Sequence, residues 1–203
     1  AIKIKDGRLG YKISYYQIKK MIGLNLNKII RRSKYQLCFF NKDIIMLIHI
    51  EMTGNFFYTD KKNNKNITSF YYDINEDKGK KHDRIIFNLS NNQKLIYNDV
   101  RKFGFIKFIQ RAGLEQNAHL KHLGPEPMSA KFNIGYFKDY RTGKERNIKN
   151  ILMDQKFISG LGNIYVNEIL FLSGVKPVKK IKKLTDVEIK KIIKFTKKII
   201  SKA

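Results

Sequence analysis

Apolar and polar positions along the chain follow two different periods. Before about Gln110 the apolar residues come in short runs. Residues 28–40 mix apolar, aromatic and basic side chains and end at an Asn41-Lys42-Asp43 turn, and 44–50 is a fully apolar run of the kind a buried strand shows. Residues 56–58, 70–74, 84–89, 94–97 and 103–109 continue the series, with a hairpin signal at Ser90-Asn91-Asn92-Gln93. The polar, lysine-rich stretch 60–68 predicts a mobile loop. Short strands at this spacing predict an antiparallel β-sandwich or barrel.

After Gln110 the period becomes helical, with segments near 115–122, 129–140, 146–157, 163–173 and 185–201. The last is the clearest. Thr185 and Glu188 form a capping box, Ile189, Ile192, Ile193, Thr196, Ile199 and Ile200 line one face, and lysines take the other, reading as a solvated surface. Residues 163–173 begin after Gly160-Leu161-Gly162, with Asn163 as the expected N-cap, and end at Gly174, a left-handed cap followed by Pro177. Spacing alone leaves that start open between a tight interhelical turn and an anion site built on exposed amides.

The two halves give an α+β chain divided at 1–112 and 113–203. Lys and Arg number 42 against 17 Asp and Glu, a net charge of +25, so a polyanion is the expected partner and nucleic acid the foremost one. An AT-rich genome enriches Lys, Asn and Ile without selection for binding, but it does not explain so few acids. Cys38 is alone, which excludes an intrachain disulfide and an all-cysteine zinc site, so no metal site is expected. The longest apolar run, 44–50, is too short to span a bilayer.

Five segments in order carry a more specific signal. They are Arg31-Arg32-Ser33-Lys34-Tyr35, His49-Ile50-Glu51-Met52-Thr53-Gly54, Asn98-Asp99-Val100-Arg101-Lys102-Phe103-Gly104, Leu123-Gly124-Pro125-Glu126-Pro127, and Leu161-Gly162-Asn163-Ile164-Tyr165-Val166-Asn167-Glu168. The last is flanked by Leu152-Met153-Asp154-Gln155 and Gly174-Val175-Lys176-Pro177. Together they resemble formamidopyrimidine-DNA glycosylases, from about Gly7 to the end.

The resemblance implies an N-terminal antiparallel β-sandwich followed by an all-helical helix-two-turn-helix domain. It implies base-excision repair: a monomeric, cytoplasmic, nucleoid-associated bacterial enzyme that grips double-stranded DNA bearing an oxidised purine or an abasic site. The damaged base is extruded, an N-terminal proline amine attacks the sugar, and the Schiff base that forms allows lyase cleavage. Carried over by position, Lys34 contacts the lesion phosphate and moves a proton in elimination. Met52, Arg101 and Phe103 fill the gap left by the extruded base. His82, Lys149 and Asn163 contact phosphates, and Glu168 is a structural acid. Without the resemblance, Lys34 reads as a solvated lysine and Met52 and Phe103 as core.

The sequence also departs from the family. The proline–glutamate start and the four-cysteine finger that holds one structural zinc are absent from these 203 residues, which implies a fragment without glycosylase activity and with uncovered sandwich surface. Glu51 stands where the family has Gly, Val100 where it has Pro, and Lys102 where it has Arg, keeping charge but losing the planar fork. The alternatives are a catalytically dead DNA-binding protein, decayed or repurposed, and a generic basic ribonucleoprotein component.

Overall fold

The structure, a computed structural model, describes residues 1–59, 65–67 and 80–202. It divides into two compact units, Ala1–Arg31 with Tyr35–Gly113, and Arg32–Lys34 with Leu114–Ala203.

Nine strands appear among the described residues of the chain: β1 (Ile2–Ile4), β2 (Leu26–Arg32), β3 (Tyr35–Phe40), β4 (Ile44–His49), β5 (Gly54–Thr59), β6 (Lys65–Ile67), β7 (Asp83–Asn88), β8 (Lys94–Asp99) and β9 (Phe105–Gln110). They form two sheets, ordered β1-β7-β8-β5-β6 and β2-β3-β4-β9. The β3·β4, β4·β9, β5·β8 and β7·β8 ladders are antiparallel. Cys38, Met46, Ile48 and Ile106 of one sheet share a buried cluster with Phe56, Ile85, Phe87 and Tyr97 of the other, so the two sheets make a sandwich. Each fully buried side chain of this size contributes about 1.5–3 kcal/mol.

Several expectations are corrected here. Residues 28–40 are two strands, broken at Ser33, whose φ of 57° puts it in the left-handed turn region. The opening stretch, where the pattern showed no element, holds β1 and a short helix, α1 (Tyr15–Met21), which buries Ile18 and Met21. Their spacing of three places both on one helical face. Within the expected loop 60–68, residues 65–67 pair with β5 as β6, because ladder hydrogen bonds use backbone groups and tolerate polar side chains. The rest of that loop and the expected strand 70–74 lie outside the described residues.

The second unit holds α2 (Ile134–Arg141), α3 (Ile148–Met153), α4 (Asn163–Ser173) and α5 (Asp186–Ile200). Phe132, Phe137, Ile151, Leu152, Phe157, Leu161, Val166, Ile169, Ile189 and Ile192 share one buried core. The capping box at Thr185 and Glu188 is present, and Gly174 ends α4 at φ 67°. Residues 115–122 are not a helix. The Asn117 side chain accepts from His119 N at 3.0 Å, and Leu120 N bonds back to Asn117 O, closing turns instead. α2 starts only at Ile134, because the Asn133 side chain accepts from Tyr136 N and caps it there. α3 stops at Met153, where Asp154 takes an extended conformation. The N-cap of α4 is Gly162 and Asn163 is its first residue, so the Asn163 side chain is left exposed instead of capping the helix.

Candidate functional site

In the sandwich unit, two loops meet at one buried carboxylate. Asp99 ends β8 and is fully buried. Its Oδ1 accepts from Thr53 Oγ1 at 2.5 Å and Arg101 N at 3.2 Å, and its Oδ2 accepts from Gly104 N at 3.0 Å and Tyr97 OH at 3.2 Å. Asp99 thus binds the loop before β5 to the loop before β9. Only glycine fits at 104, since a Cβ there would meet the Tyr97 hydroxyl and lie 2.9 Å from His49 O. Burial and the neighbouring Asp99 charge push the Tyr97 hydroxyl well above the ordinary phenol range, so it stays a proton donor to that carboxylate.

These loops present Met52, Arg101 and Phe103 together at the surface. Met52 is 62% exposed and Phe103 56%. Arg101 Nη1 lies 3.4 Å from Met52 Sδ, and the guanidinium carbon stands 4.5 Å from the Phe103 ring centroid. Two large apolar side chains and a cation thus share one exposed patch, and such a patch marks a candidate interaction site. Left-handed residues flank them: Glu51 at φ 51° and Lys102 at φ 63°. Such a conformation costs a non-glycine residue about 1–2 kcal/mol. Glu51, standing where the resembled family has Gly, therefore keeps a glycine-type backbone, and its carboxylate reaches His49 Nδ1 at 3.0 Å.

Lys102 Nζ donates to Asp6 Oδ2 at 2.6 Å, so the residue replacing the family's Arg anchors the loop by an ion pair. That bond first, with Arg8 after it, holds the Asp6 carboxyl far below the ordinary carboxylate range. His82 joins the same region. Its Nδ1 lies 3.4 Å from Arg84 Nη2, while Arg84 Nε donates to Asp99 O at 2.8 Å. His82 and Arg101 are thereby linked through a buried arginine that the sequence did not single out.

The helical unit gathers a second group around the turn between β2 and β3. Arg32 Nη1 donates to Glu126 Oε1 at 2.5 Å and to Ser159 Oγ at 2.7 Å, and Nη2 donates to Leu123 O and Gly124 O. Ser33 N also donates to Glu126 Oε1, at 2.7 Å. Gln155 Oε1 accepts from Gly160 N, and its Nε2 donates to Leu161 O, bracing the segment that enters α4. Lys34 is left exposed at the tip of this braced turn, and a Cβ added at Gly162 would lie 3.7 Å from its Nζ. Lys34 therefore stands beside the amino end of α4, where Asn163 is exposed. An ammonium and a helix amino end are both positive, and together they favour an anion. Lys149, half-buried on α3, donates its backbone N–H to Pro177 O at 3.2 Å.

Among the sequence-derived residues, Met52, Arg101, Phe103 and His82 are brought together in the first unit, and Lys34 and Asn163 in the second, while Lys149 lies apart on α3. Asp99, Arg32, Glu126 and Gln155 lie within the ordered motif segments and their flanks but carry no predicted role there, and Arg84 lies outside them. The signal available for Glu126 was its placement between Pro125 and Pro127, an acid held in a rigid loop of a strongly basic chain. The resemblance's zinc does not fit these residues. Cys38, the sole cysteine, is buried in the sandwich core with its thiol pushed up to about 11 by burial. Among the described residues no group of three His, Cys, Asp or Glu could hold a metal ion.

Comparison with known proteins gives consistent results. Residues 2–106 match the formamidopyrimidine-DNA glycosylase N-terminal domain, and residues 123–203 match the formamidopyrimidine-DNA glycosylase H2TH domain. The chain is 38% identical over 202 residues to the formamidopyrimidine-DNA glycosylase of Rickettsia bellii (strain OSU 85-389), covering 100% of itself and 68% of that relative. It is 33% identical over 177 residues to the Bradyrhizobium enzyme of the same name, covering 87% of itself and 60% of that relative. Among solved structures, the Lactococcus lactis Fpg bound to DNA containing an abasic site superposes with a TM-score of 0.84 at 27% identity, over 100% of this chain and 69% of that one. A Lactococcus lactis Fpg complex with Fapy-dG-containing DNA gives the same TM-score and identity over 71% of its length. With both domains matched along nearly its whole length and the sandwich and helical unit in the same order, the chain belongs to the formamidopyrimidine-DNA glycosylase family.

Proposed function

We propose that this chain acts in base-excision DNA repair, recognising duplex DNA at an oxidised purine or an abasic site. The observation that carries this reading is the exposed Met52–Arg101–Phe103 trio, fixed from beneath by buried Asp99. A base extruded from a duplex leaves a gap lined by stacked neighbours and an unpaired opposite base. A flexible thioether and an aromatic ring fill such a gap, and a guanidinium hydrogen-bonds the orphaned base. Extrusion costs a few kcal/mol, which these contacts offset. Lys34 and Asn163, beside the amino end of α4, take a phosphate of the lesion strand, and His82 and Lys149 take others.

The family chemistry assigns the glycosidic attack to a proline amine with an adjacent carboxylate. Lys34 supports chemistry at a pre-formed abasic site. Its neutral amine attacks the open-chain aldehyde at C1′, water leaves, and the resulting imine acidifies the adjacent C2′ proton, whose loss expels the 3′ phosphate.

Borohydride trapping on abasic-site duplex tests this. A covalent adduct is expected, and it should disappear in Lys34→Ala. An adduct that survives Lys34→Ala would contradict the assignment.

A further inference from the structure

The segment that carries α1 combines basic and aromatic side chains. Between Asp6 and Asp43 the chain has no Asp or Glu. α1 has no acid in its first turn and no side-chain cap, so no acid of its own sequence balances its lysines. Tyr15 and Tyr16, at its start, are 66% and 67% exposed. Each carries a lysine one turn later over its ring: Lys19 Nζ stands 5.2 Å from the Tyr15 centroid, and Lys20 Nζ 4.4 Å from that of Tyr16. Upstream, Tyr11 repeats the pairing, with Lys107 Nζ 3.3 Å from its ring centroid and its edge against Phe105. The strip adjoins the loop that presents Arg101 and Phe103, since Gly10 N donates to Gly104 O at 3.0 Å.

We propose that Tyr11, Tyr15 and Tyr16 with Lys12, Lys19 and Lys20 form a surface for single-stranded nucleic acid, distinct from the Met52–Arg101–Phe103 trio. Exposed rings interleaved with ammonium groups match a strand whose bases are free to stack and whose phosphates run alongside. A duplex turns its base faces inward and leaves the rings unused. An acidic peptide would engage the lysines but give the tyrosines no matching planar face. Lys19 and Lys20 hold their ammonium groups beside exposed rings, where a strand stacked on a ring would bring its phosphates. The proposal does not depend on lesion recognition.

The test uses the 203-residue chain and a fluorescein-labelled oligo(dT) of about 15 nucleotides, near the upper end of single-domain footprints. The double variant Tyr15→Leu/Tyr16→Leu keeps apolar bulk but removes both rings, and its affinity should fall about tenfold or more. Tyr15→Phe/Tyr16→Phe keeps the rings and should bind as the parent does. Both should keep the parent's affinity for an abasic-site duplex, which separates failure here from failure of the repair reading. Oligo(dT) binding unchanged in the leucine variant would overturn the proposal. So would a parallel loss on the duplex, or displacement of oligo(dT) by inorganic polyphosphate at equal phosphate concentration.

Discussion

Replacing Asp99 with alanine is expected to destabilise the sandwich unit by about 3 kcal/mol, the range for removing a buried charge that several donors share. The carboxylate is fully buried and accepts from Thr53, Tyr97 and the amides of Arg101 and Gly104. Alanine leaves the Tyr97 hydroxyl and the Gly104 amide without that acceptor, in a space too tight for easy rearrangement. Asparagine is a sharper variant. It keeps one oxygen but turns an NH2 group toward donors, so it restores only part of the loss. The functional effect should exceed the stability effect in specificity: with the two loops untied, Met52, Arg101 and Phe103 lose their common placement, and preference for abasic over intact duplex should drop about tenfold, the cost of roughly one lost pre-organised contact. Urea unfolding and duplex affinity measured on the same samples check both parts. Asp99→Ala with parental stability would refute the organising role.

Glu126→Gln should cost about 2 kcal/mol, read as a lowered urea midpoint at unchanged slope. Arg32 and Glu126 keep 31% and 28% of their side-chain surface, so solvent screening places the loss below that of a fully buried pair. Burial raises the Glu126 pKa, but the Arg32 hydrogen bond, the Ser33 amide and the Ser159 hydroxyl outweigh it and hold the carboxyl below its ordinary value. A carboxylate depressed in the folded state stabilises fully above its unfolded pKa, about 4.3, and loses that contribution as pH falls through the lower folded value. The gap between parent and Glu126→Gln should therefore be full at neutral pH and close in acid. Because Glu126 also holds the Ser33 amide, the Lys34-dependent borohydride adduct should fall with it. A gap that widens on acidification would contradict the ion-pair account.

The chain announces some of this and conceals the rest for definite reasons. The α5 capping box and the Gly174 cap are local, each written within a few residues, and both are present. The exposed trio was legible only through ordered motifs, since spacing alone made Met52 and Phe103 core residues. α1 escaped because seven residues with two buried positions give too short a period to distinguish, and its N-cap, Ser14, makes no side-chain capping hydrogen bond. Residues 115–122 misled because they hold good helix formers, while the Asn117 side chain diverts the backbone into turns. The roles of Asp99 and Glu126 depend on partners 46 and 93 positions away, a closeness that only folding creates.

Whether the exposed trio reads the gap at a lesion is tested by comparing Arg101→Ala with Lys194→Ala on two duplexes, one with an abasic site and one intact, across a salt titration. Lys194 lies exposed on the lysine face of α5. Arg101→Ala should lose about tenfold in affinity for the abasic duplex, the cost of one good base-directed contact, and far less for the intact one. Lys194→Ala should leave the ratio between the duplexes unchanged. If it contacts a phosphate at all, it should lower the salt slope by about 0.9 on both. Equal losses for the two variants on the abasic duplex, with an unchanged ratio, would contradict the account.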